Sequence, residues 1–227
     1  MEKGVLYVVG TPIGNLGDIT LRALEVLRMV DVIACEDARH TLKLLNHYEI
    51  KKHLLTLHAR NEEQATTKAL QVLAKGESLA YVSDAGTPAV SDPGSLLVQE
   101  AREAGYKVVP VPGVSALTTL LSVAGCFGKA VHFEGFLSPK PGKRKKRLQE
   151  LIARGETVIL YESPYRMVRL LADIKDIDEG RGLVVGKEMT KVHESLIAGT
   201  ASSVLDVFLE MGEVKGEFAL LVLPSKP

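Results

Sequence analysis

The chain has 227 residues, 46% hydrophobic and 25% charged, which predicts a packed core and excludes extended disorder. Its 28 basic and 28 acidic residues cancel, which excludes a chain that is polycationic throughout. Cys35 and Cys126 lack CxxC spacing, and we find neither a signal-peptide pattern nor an apolar run of about 20 residues, so we expect a cytoplasmic protein without a disulfide, zinc or membrane framework.

The first half of the chain alternates short apolar strands with amphipathic helices. Strands are predicted at residues 5–9, 32–35, 54–57, 79–82 and 108–111. Asp18 and Thr20 are good caps for the helix after the first strand. A later helix has the capping-box signature Asn61-x-x-Gln64, and Gly76 stops it. Nearly continuous apolar strands between helices require a sheet buried on both faces, so this half is predicted to be a largely parallel α/β domain.

The second half is predicted to alternate in the same way. After a helix at residues 117–124, Gly125 and Gly128 flank a shift in composition, so we expect domains of residues 1–125 and 126–227. The later strands are predicted at residues 131–134, 158–161, 183–185 and 218–223. The later helices are predicted at residues 143–154, 167–174 and 204–211. The fold class is therefore α/β with two domains.

The loop after the first strand is rich in glycine. Its sequence is Gly10-Thr11-Pro12-Ile13-Gly14-Asn15-Leu16-Gly17-Asp18. Glycines at a strand end let the backbone approach a ligand without an intervening Cβ. The spacing is not GxGxxG, and Pro12 removes a backbone donor, so a phosphate cradle is disfavoured. The pattern fits a ligand loop and a tight turn into a helix equally well.

Two further strand ends carry similar loops. Residues 83–94 include two Asp, two Gly and two Pro, which is more than a plain turn requires. Residues 111–116 again join a strand to a helix, and Ser115 there is either a ligand contact or an N-cap. Because ligands of open α/β sheets bind outside the carboxyl ends of the strands, three such loops in one sheet predict a ligand site.

These motifs resemble the tetrapyrrole methylase superfamily. The resemblance lies in VGTPIGNLGDITLRALEVL, EDARHT, SDAGTPAVSDPG and PGVSAL, and it continues through LYESPYR and GKEMTK, from Leu6 to about Pro224. Within the superfamily the motifs are similar to the ribosomal RNA small-subunit methyltransferase I branch, which 2′-O-methylates a cytidine in the decoding region of 16S rRNA. Members that act on tetrapyrroles carry a GxGxGD-type first loop and a GDP-type second loop, where this chain has Thr11-Pro12 and Gly86-Thr87-Pro88.

The resemblance implies two α/β domains of tetrapyrrole-methylase type, with S-adenosylmethionine folded in the cleft between them. The cofactor contacts carried over by position are Pro12, Ile13, Ala85, Gly86, Thr87, Val90, Ser115, Ala116, Glu162 and Met189. The resemblance also implies a homodimer that acts on 16S rRNA within the 30S subunit.

The proton acceptor is open at this stage. Methyl transfer from a sulfonium is an in-line displacement that requires no metal, but a ribose hydroxyl is a poor nucleophile and needs an acceptor. The hypothesis is that Asp37 accepts a hydrogen bond from the hydroxyl and that Arg39 positions a phosphate. The alternative is that the two residues pair and close a βα loop. Further candidates at loop positions are Glu36, His40, Asp84, Asp92 and Glu162.

A basic run concentrates positive charge between residues 140 and 147. It comprises Lys140, Lys143, Arg144, Lys145, Lys146 and Arg147. Because the run offsets an otherwise acidic chain, it is predicted to contact the RNA phosphate backbone, the alternative being a solvated helix face. With five Phe, six Tyr and no Trp, base stacking is a weaker argument than recognition of RNA shape and backbone.

Three classes of function follow from these features. The first is a ribosomal RNA methyltransferase. The second is a tetrapyrrole C-methyltransferase, which should lack a basic run beside the cleft. The third is a ribosome-assembly binding protein that keeps a nucleotide-like pocket without chemistry.

Overall fold

The first part of the chain folds into a five-stranded parallel sheet. The computed structural model describes residues 4–125 and 128–224. The strands are β1 (Val5–Val9), β2 (Val32–Cys35), β3 (His53–Thr56), β4 (Leu79–Val82) and β5 (Lys107–Val111). They lie in the order β3-β2-β4-β1-β5, and every neighbouring pair is parallel. The parallel α/β arrangement predicted from the apolar runs is confirmed.

Helices cover both faces of this sheet. They are α1 (Leu21–Met29), α2 (Ala38–His47), α3 (Glu62–Ala74) and α4 (Ser95–Glu103). One face packs on α1 and α2 around Leu27 and Leu45, and the other packs on α3 and α4 around Leu73 and Leu97. Every residue of β2 and β4 is buried, which is why these strands have no polar alternation in the sequence.

Local caps explain where two of these helices begin. Thr20 Oγ1 accepts a hydrogen bond from Ala23 N at 3.1 Å and starts α1, as predicted. The capping box predicted at Asn61 does not form. Asn61 Oδ1 instead accepts a hydrogen bond from His58 N at 2.8 Å, so its side chain closes the preceding turn. Gly76 follows α3 with a φ of +86°, the left-handed conformation expected of a helix stop.

The second part of the chain contains a mixed sheet. Its strands are β6 (Val131–Phe136), β7 (Thr157–Glu162), β8 (Gly182–Lys187), β9 (Ser195–Thr200) and β10 (Phe218–Val222). They lie in the order β6-β7-β10-β8-β9, with β6 and β7 parallel and the other pairs antiparallel. Its helices are α5 (Ala116–Ala124), α6 (Pro141–Ala153), α7 (Pro164–Ile177) and α8 (Ala201–Glu210).

Strand β9 was not predicted from the sequence. It lies at the edge of the sheet beside β8, and its residues are exposed or half-buried. A strand with one neighbour and little buried surface carries a weak apolar pattern. Hydrogen bonding to β8, rather than an apolar sequence pattern, therefore accounts for the formation of β9.

The chain divides into two compact units between Ser115 and Ala116. The composition shift had placed the boundary at residue 125, after α5. Leu120 of α5 is fully buried in a cluster with Ile159 and Val184 of the second sheet. The helix therefore packs with the second unit, although no composition shift precedes it.

The sequence predicted neither a membrane span nor a disulfide framework. Among the described residues, no helix is both long enough and apolar enough to cross a bilayer. Cys35 is a buried free thiol whose pKa is raised by burial. Cys126 lies outside the described residues.

Candidate active site

Loops that follow three parallel strands meet at the carboxyl edge of the first sheet. Strands β4, β1 and β5 are neighbours, so the residues after them emerge side by side. Thr11 N donates to Gly86 O at 2.9 Å, and Gly86 N donates to Thr11 O at 3.1 Å. The buried Thr11 hydroxyl also donates to Ser83 O at 3.2 Å. Main-chain pairing thus joins the loop after β1 to the loop after β4.

The loop after β5 contacts both of these loops. Gly10 and Gly113 approach so closely that a Cβ on Gly10 would lie 2.8 Å from Gly113 N. Thr87 Oγ1 donates to Val114 O at 3.2 Å. Each of the three loops is therefore in contact with the other two.

Gly86 lies where the three loops converge. Its φ is +80°, and a Cβ at this position would lie 3.3 Å from Ile13 Cγ2 and 3.5 Å from Val114 O. Glycine meets both demands, because it adopts the left-handed conformation without strain and adds no side chain to the narrow space. A larger residue would have to displace the neighbouring loops.

The cofactor contacts predicted in the first unit all lie on these converging loops. Pro12, Ile13 and Gly86 are buried, Thr87 and Ser115 are half-buried, and Ala85 and Val90 are exposed. Ala116 begins α5 and belongs to the second unit. The fold thus gathers at one sheet edge residues that are far apart in the sequence.

The loop after β4 holds strained backbone. Ala89 and Ser91 each have a φ of +63°, a conformation that costs a non-glycine residue about 1 kcal/mol. Tyr81 OH donates a hydrogen bond to Pro93 O. Glu62 Oε1 accepts a hydrogen bond from Gly94 N at 2.8 Å. These two bonds fasten the loop to β4 and α3. Backbone strain that is held by its surroundings is concentrated at ligand-binding and catalytic sites.

Carboxylates gather beside the loops at the ends of β2 and β4. Asp84 Oδ1 accepts a hydrogen bond from Asp37 N at 3.0 Å. Burial, reinforced by the charges of Asp84 and Asp92, raises the pKa of Glu36. Burial also raises the pKa of Asp92 to about 6, with Asp84 reinforcing the shift and a hydrogen bond from Ser83 opposing it. A carboxyl group with this pKa can exchange a proton near neutral pH.

Asp37 and Arg39 pair with each other. Asp37 Oδ1 accepts from Arg39 N at 2.8 Å and caps α2, while Oδ2 lies 3.0 Å from Arg39 Nη2. The hydrogen bonds from Arg39 lower the pKa of the Asp37 carboxyl. The loop-closing pair considered in the sequence is therefore present, and the catalytic role of Asp37 stays a prediction. The Arg39 side chain is 91% exposed, and His40 is exposed in the same helical turn.

Besides Ala116, the cofactor contacts predicted in the second unit are Glu162 and Met189, and both have partners within that unit. Buried Glu162, at the end of β7, accepts from Ser163 N at 2.8 Å and from Arg166 Nη2 at 2.7 Å. Met189 packs against Gly186, where a Cβ would lie 2.6 Å from the Met189 sulfur. Both side chains thus stabilise the unit, and a cofactor contact by either stays a prediction.

Ion pairs divide the basic run into two sets. The pairs, at 2.6–2.9 Å, are Arg144–Asp173, Lys145–Asp176 and Arg147–Glu134. The sequence predicted that Arg144 contacts RNA. Its side chain is only 5% exposed, so it is not available for that contact. Lys140, Lys143 and Lys146 are exposed and form no ion pair with residues 4–125 and 128–224. We call these three lysines the free lysines. An RNA contact by them, or by the partly exposed Lys145 and Arg147, stays a prediction.

Replacing Arg144 with Ala is expected to lower the free energy of unfolding by about 3–5 kcal/mol, because Asp173, only 17% exposed, is left without its partner. Lys143→Ala, one residue earlier and exposed, should change it by less than about 0.5 kcal/mol. Urea unfolding followed by circular dichroism measures both variants. Equal midpoints for the two variants would show that the buried pair contributes no more than a surface lysine.

Strained loops and carboxylates lie at the carboxyl edge of the parallel sheet, which is where α/β proteins with open sheets bind their ligands. Solved structures share the architecture. A cobalt-precorrin-4 methyltransferase matches with a TM-score of 0.71 and 19% identity, over 96% of this chain and 94% of that chain. A diphthine synthase matches with a TM-score of 0.71 and 17% identity, over 97% of this chain and 90% of that chain. At these identities the likeness establishes the fold.

Sequence comparison identifies the family. The model for tetrapyrrole (corrin/porphyrin) methylases matches residues 5–205. A Borrelia garinii subsp. bavariensis protein named ribosomal RNA small subunit methyltransferase I is 48% identical over 222 residues, covering 97% of this chain and 99% of the relative. A Xylella fastidiosa protein of the same name is 47% identical, covering 96% and 81%. The chain belongs to the tetrapyrrole methylase family, in the ribosomal RNA small subunit methyltransferase I branch, and the predicted resemblance is confirmed.

Some residues that build the site were not singled out in the sequence. Tyr81 reads there as a core strand residue, and Glu62 as an ordinary acid in a first helical turn. Only the fold brings them to the loop after β4. Within the described ranges, no three His, Cys, Asp or Glu side chains are grouped as metal ligands.

Proposed function

We propose that the chain is an S-adenosylmethionine-dependent methyltransferase that 2′-O-methylates a cytidine ribose in the decoding region of 16S rRNA. The observation that carries the proposal is the 48% identity to a protein named ribosomal RNA small subunit methyltransferase I, across 99% of that relative. The proposed setting is the 30S subunit in the cytoplasm, with the chain acting as a homodimer.

The converging loops suit S-adenosylmethionine. Gly86 leaves a narrow space beside Ile13 that a Cβ would fill, and small or apolar residues surround it. Pro12 cannot donate a backbone hydrogen bond, so the first loop favours a ligand without a phosphate. The bound cofactor would supply an electrophilic methyl group on a sulfonium sulfur. Residues Pro12, Ile13, Ala85, Gly86, Thr87, Val90, Ser115 and Ala116 are the proposed contacts.

The attacking ribose hydroxyl requires a group that accepts its proton. Asp92 is the better candidate, because it follows the strained part of the second loop and its pKa of about 6 matches neutral conditions. Asp37 is the weaker base, because its carboxylate is already bonded to Arg39 and its pKa is lowered. Arg39, largely exposed, remains suited to an RNA phosphate.

Transfer of label from S-adenosylmethionine to isolated 30S subunits tests the function. We expect labelled 16S rRNA, with the methyl group on a ribose, which nuclease digestion and mass spectrometry can locate. Uroporphyrinogen and buffer are the parallel acceptors. Label on the tetrapyrrole would indicate a C-methyltransferase instead, and cofactor binding without transfer to any acceptor would indicate a binding protein.

Changing the free lysines to Ala together should weaken binding to 30S subunits and flatten its salt dependence. The slope of log K against log salt falls by about 0.7–0.9 for each phosphate that is no longer neutralised, so the triple variant should have a slope smaller by about 2–3. Fluorescence anisotropy at several salt concentrations measures the slope.

The control is the triple variant Lys51→Ala, Lys68→Ala and Lys75→Ala, which removes the same charge from exposed positions in the first unit. Cofactor affinity should stay unchanged in both triple variants. If the two variants have the same slope, the free lysines are only a solvated surface.

A further inference from the structure

Two exposed aromatic side chains lie at the same end of the second sheet. Of the aromatic residues in the described ranges, Phe136 and Tyr165 are the exposed ones, at 58% and 90%. Phe136 is the last residue of β6, and Tyr165 is in the first turn of α7, directly after β7. Because β6 and β7 are parallel neighbours, both rings emerge at the carboxyl ends of these strands.

Hydrogen bonds hold the segments that carry these rings against each other. Arg166 Nη2 donates to Leu137 O at 2.8 Å and to Glu162 Oε2 at 2.7 Å. This side chain therefore ties the residue after Phe136 to the helical turn that contains Tyr165. The Phe136 ring also packs on Tyr161, with centroids 5.8 Å apart and an interplanar angle of 68°. Phe136 is thus supported on one side while much of its surface stays exposed.

Unpaired positive charge follows Phe136 within a few residues of the chain. Lys140 is four residues after Phe136, so the two lie at most about 14 Å apart along the chain. Lys143 follows in the first turn of α6, and both lysines are exposed without an ion-pair partner among the described residues. An exposed ring with a free cation nearby matches a single nucleic-acid strand, whose bases stack on rings and whose phosphates attract lysine.

We infer that Phe136 and Tyr165 form a stacking surface for unpaired RNA bases, with Lys140 and Lys143 contacting the adjoining phosphates. The inference rests on the proposed function for the identity of the RNA, but the surface itself is defined by the second unit alone. A base stacked on each exposed ring would cover its apolar area. The surface would hold a splayed, single-stranded segment rather than a duplex, because paired bases present no free face.

The test uses the full chain and a short single-stranded oligoribonucleotide that contains one 2-aminopurine, with the matched duplex as comparator. The wild type is expected to quench the fluorescence of the single strand. Phe136→Ala and Tyr165→Ala should each weaken its binding by about tenfold, while Tyr165→Phe, which keeps the ring, should bind like the wild type. Leu209→Ala is the matched control, because Leu209 is 60% exposed on α8 but cannot stack.

Equal binding by the Ala variants and the wild type, or equal binding of the duplex, would overturn the inference. Sedimentation of the same variants tests whether a second copy of the chain binds this surface instead of RNA. If Phe136→Ala and Tyr165→Ala turn a dimer into a monomer, the surface is a dimer interface and the inference is overturned. Methyl transfer to 30S subunits separates this inference from the proposed function. If the Ala variants methylate 30S subunits as fast as the wild type, the stacking inference is contradicted and the proposed function is not. If the wild type does not methylate 30S subunits, the proposed function is contradicted, and the oligonucleotide binding still tests the stacking surface.

Discussion

Replacing Gly86 with Asp is expected to lower the affinity for S-adenosylmethionine by about 100-fold while the chain stays folded. A Cβ on Gly86 already lies 3.3 Å from Ile13 Cγ2 and 3.5 Å from Val114 O, so a carboxylate must occupy the space between the loops. Ala116→Trp should have a similar effect, because it adds a large ring at a position that the family resemblance assigns to the cofactor. Titration calorimetry with S-adenosylmethionine measures both variants.

The control for Gly86→Asp is Gly76→Asp. Gly76 has a φ of +86°, against +80° for Gly86, but it lies at the stop of α3 and away from the three loops. Both variants introduce left-handed strain, but Gly86 is buried and Gly76 is exposed, so the larger fall in melting temperature is expected for Gly86→Asp. Only the Gly86 variant should have a lower cofactor affinity. If Gly86→Asp and Ala116→Trp both bind S-adenosylmethionine with unchanged affinity, the converging loops are not the cofactor site.

Asp92→Asn is expected to lower the single-turnover rate of methyl transfer by about 10²–10⁴-fold, with cofactor affinity preserved. The amide keeps the shape of the side chain but cannot accept the proton of the hydroxyl. In the wild type the rate should rise with pH through about 6, because Asp92 must be ionised to act as the base. That rise should be absent in the variant.

Asp37→Asn and Asp206→Asn complete this comparison. Asp206 is exposed on α8, and its variant should match the wild type. Asp37→Asn should lower the melting temperature slightly, because it removes the exposed ion pair with Arg39 while the amide oxygen can still cap α2. If Asp37→Asn shows the large fall in rate and Asp92→Asn does not, the base is Asp37, as the sequence alone suggests.

The stability of Asp92→Asn provides an internal check. Because the folded pKa of Asp92 is raised from 3.8 to about 6, the folded chain favours the protonated carboxyl, and ionisation destabilises the fold as pH rises through this range. Asn removes that cost, so the variant should be more stable than the wild type at pH 7 by on the order of 1–2 kcal/mol. The gain should vanish below pH 3.8. If Asp92→Asn is less active but more stable than the wild type, its loss of activity is not caused by unfolding.

The core of the first unit could be predicted from the sequence because burial on both faces produces an uninterrupted apolar run. Strands β2 and β4, which are buried at every residue, have the predicted bounds for this reason, and the bounds of β1 also match. Strand β9, at a half-exposed edge, has no such run and was missed. The capping box at Asn61 failed because a cap depends on which turn the side chain closes, and the residue pattern alone does not fix that choice.

The family, the α/β class and the three loops can be inferred from the sequence alone, because these depend on local motifs and on the periodicity of apolar residues. Which side chains are free to act depends on how the chain folds. Arg144 and Lys143 are adjacent positive residues in one run, yet one is buried against Asp173 and the other is exposed. Asp37 and Asp92 are both loop carboxylates, yet one has its pKa lowered by a cation and the other has it raised by burial. Burial and charge pairing depend on how the chain packs in three dimensions, so only the folded structure determines them.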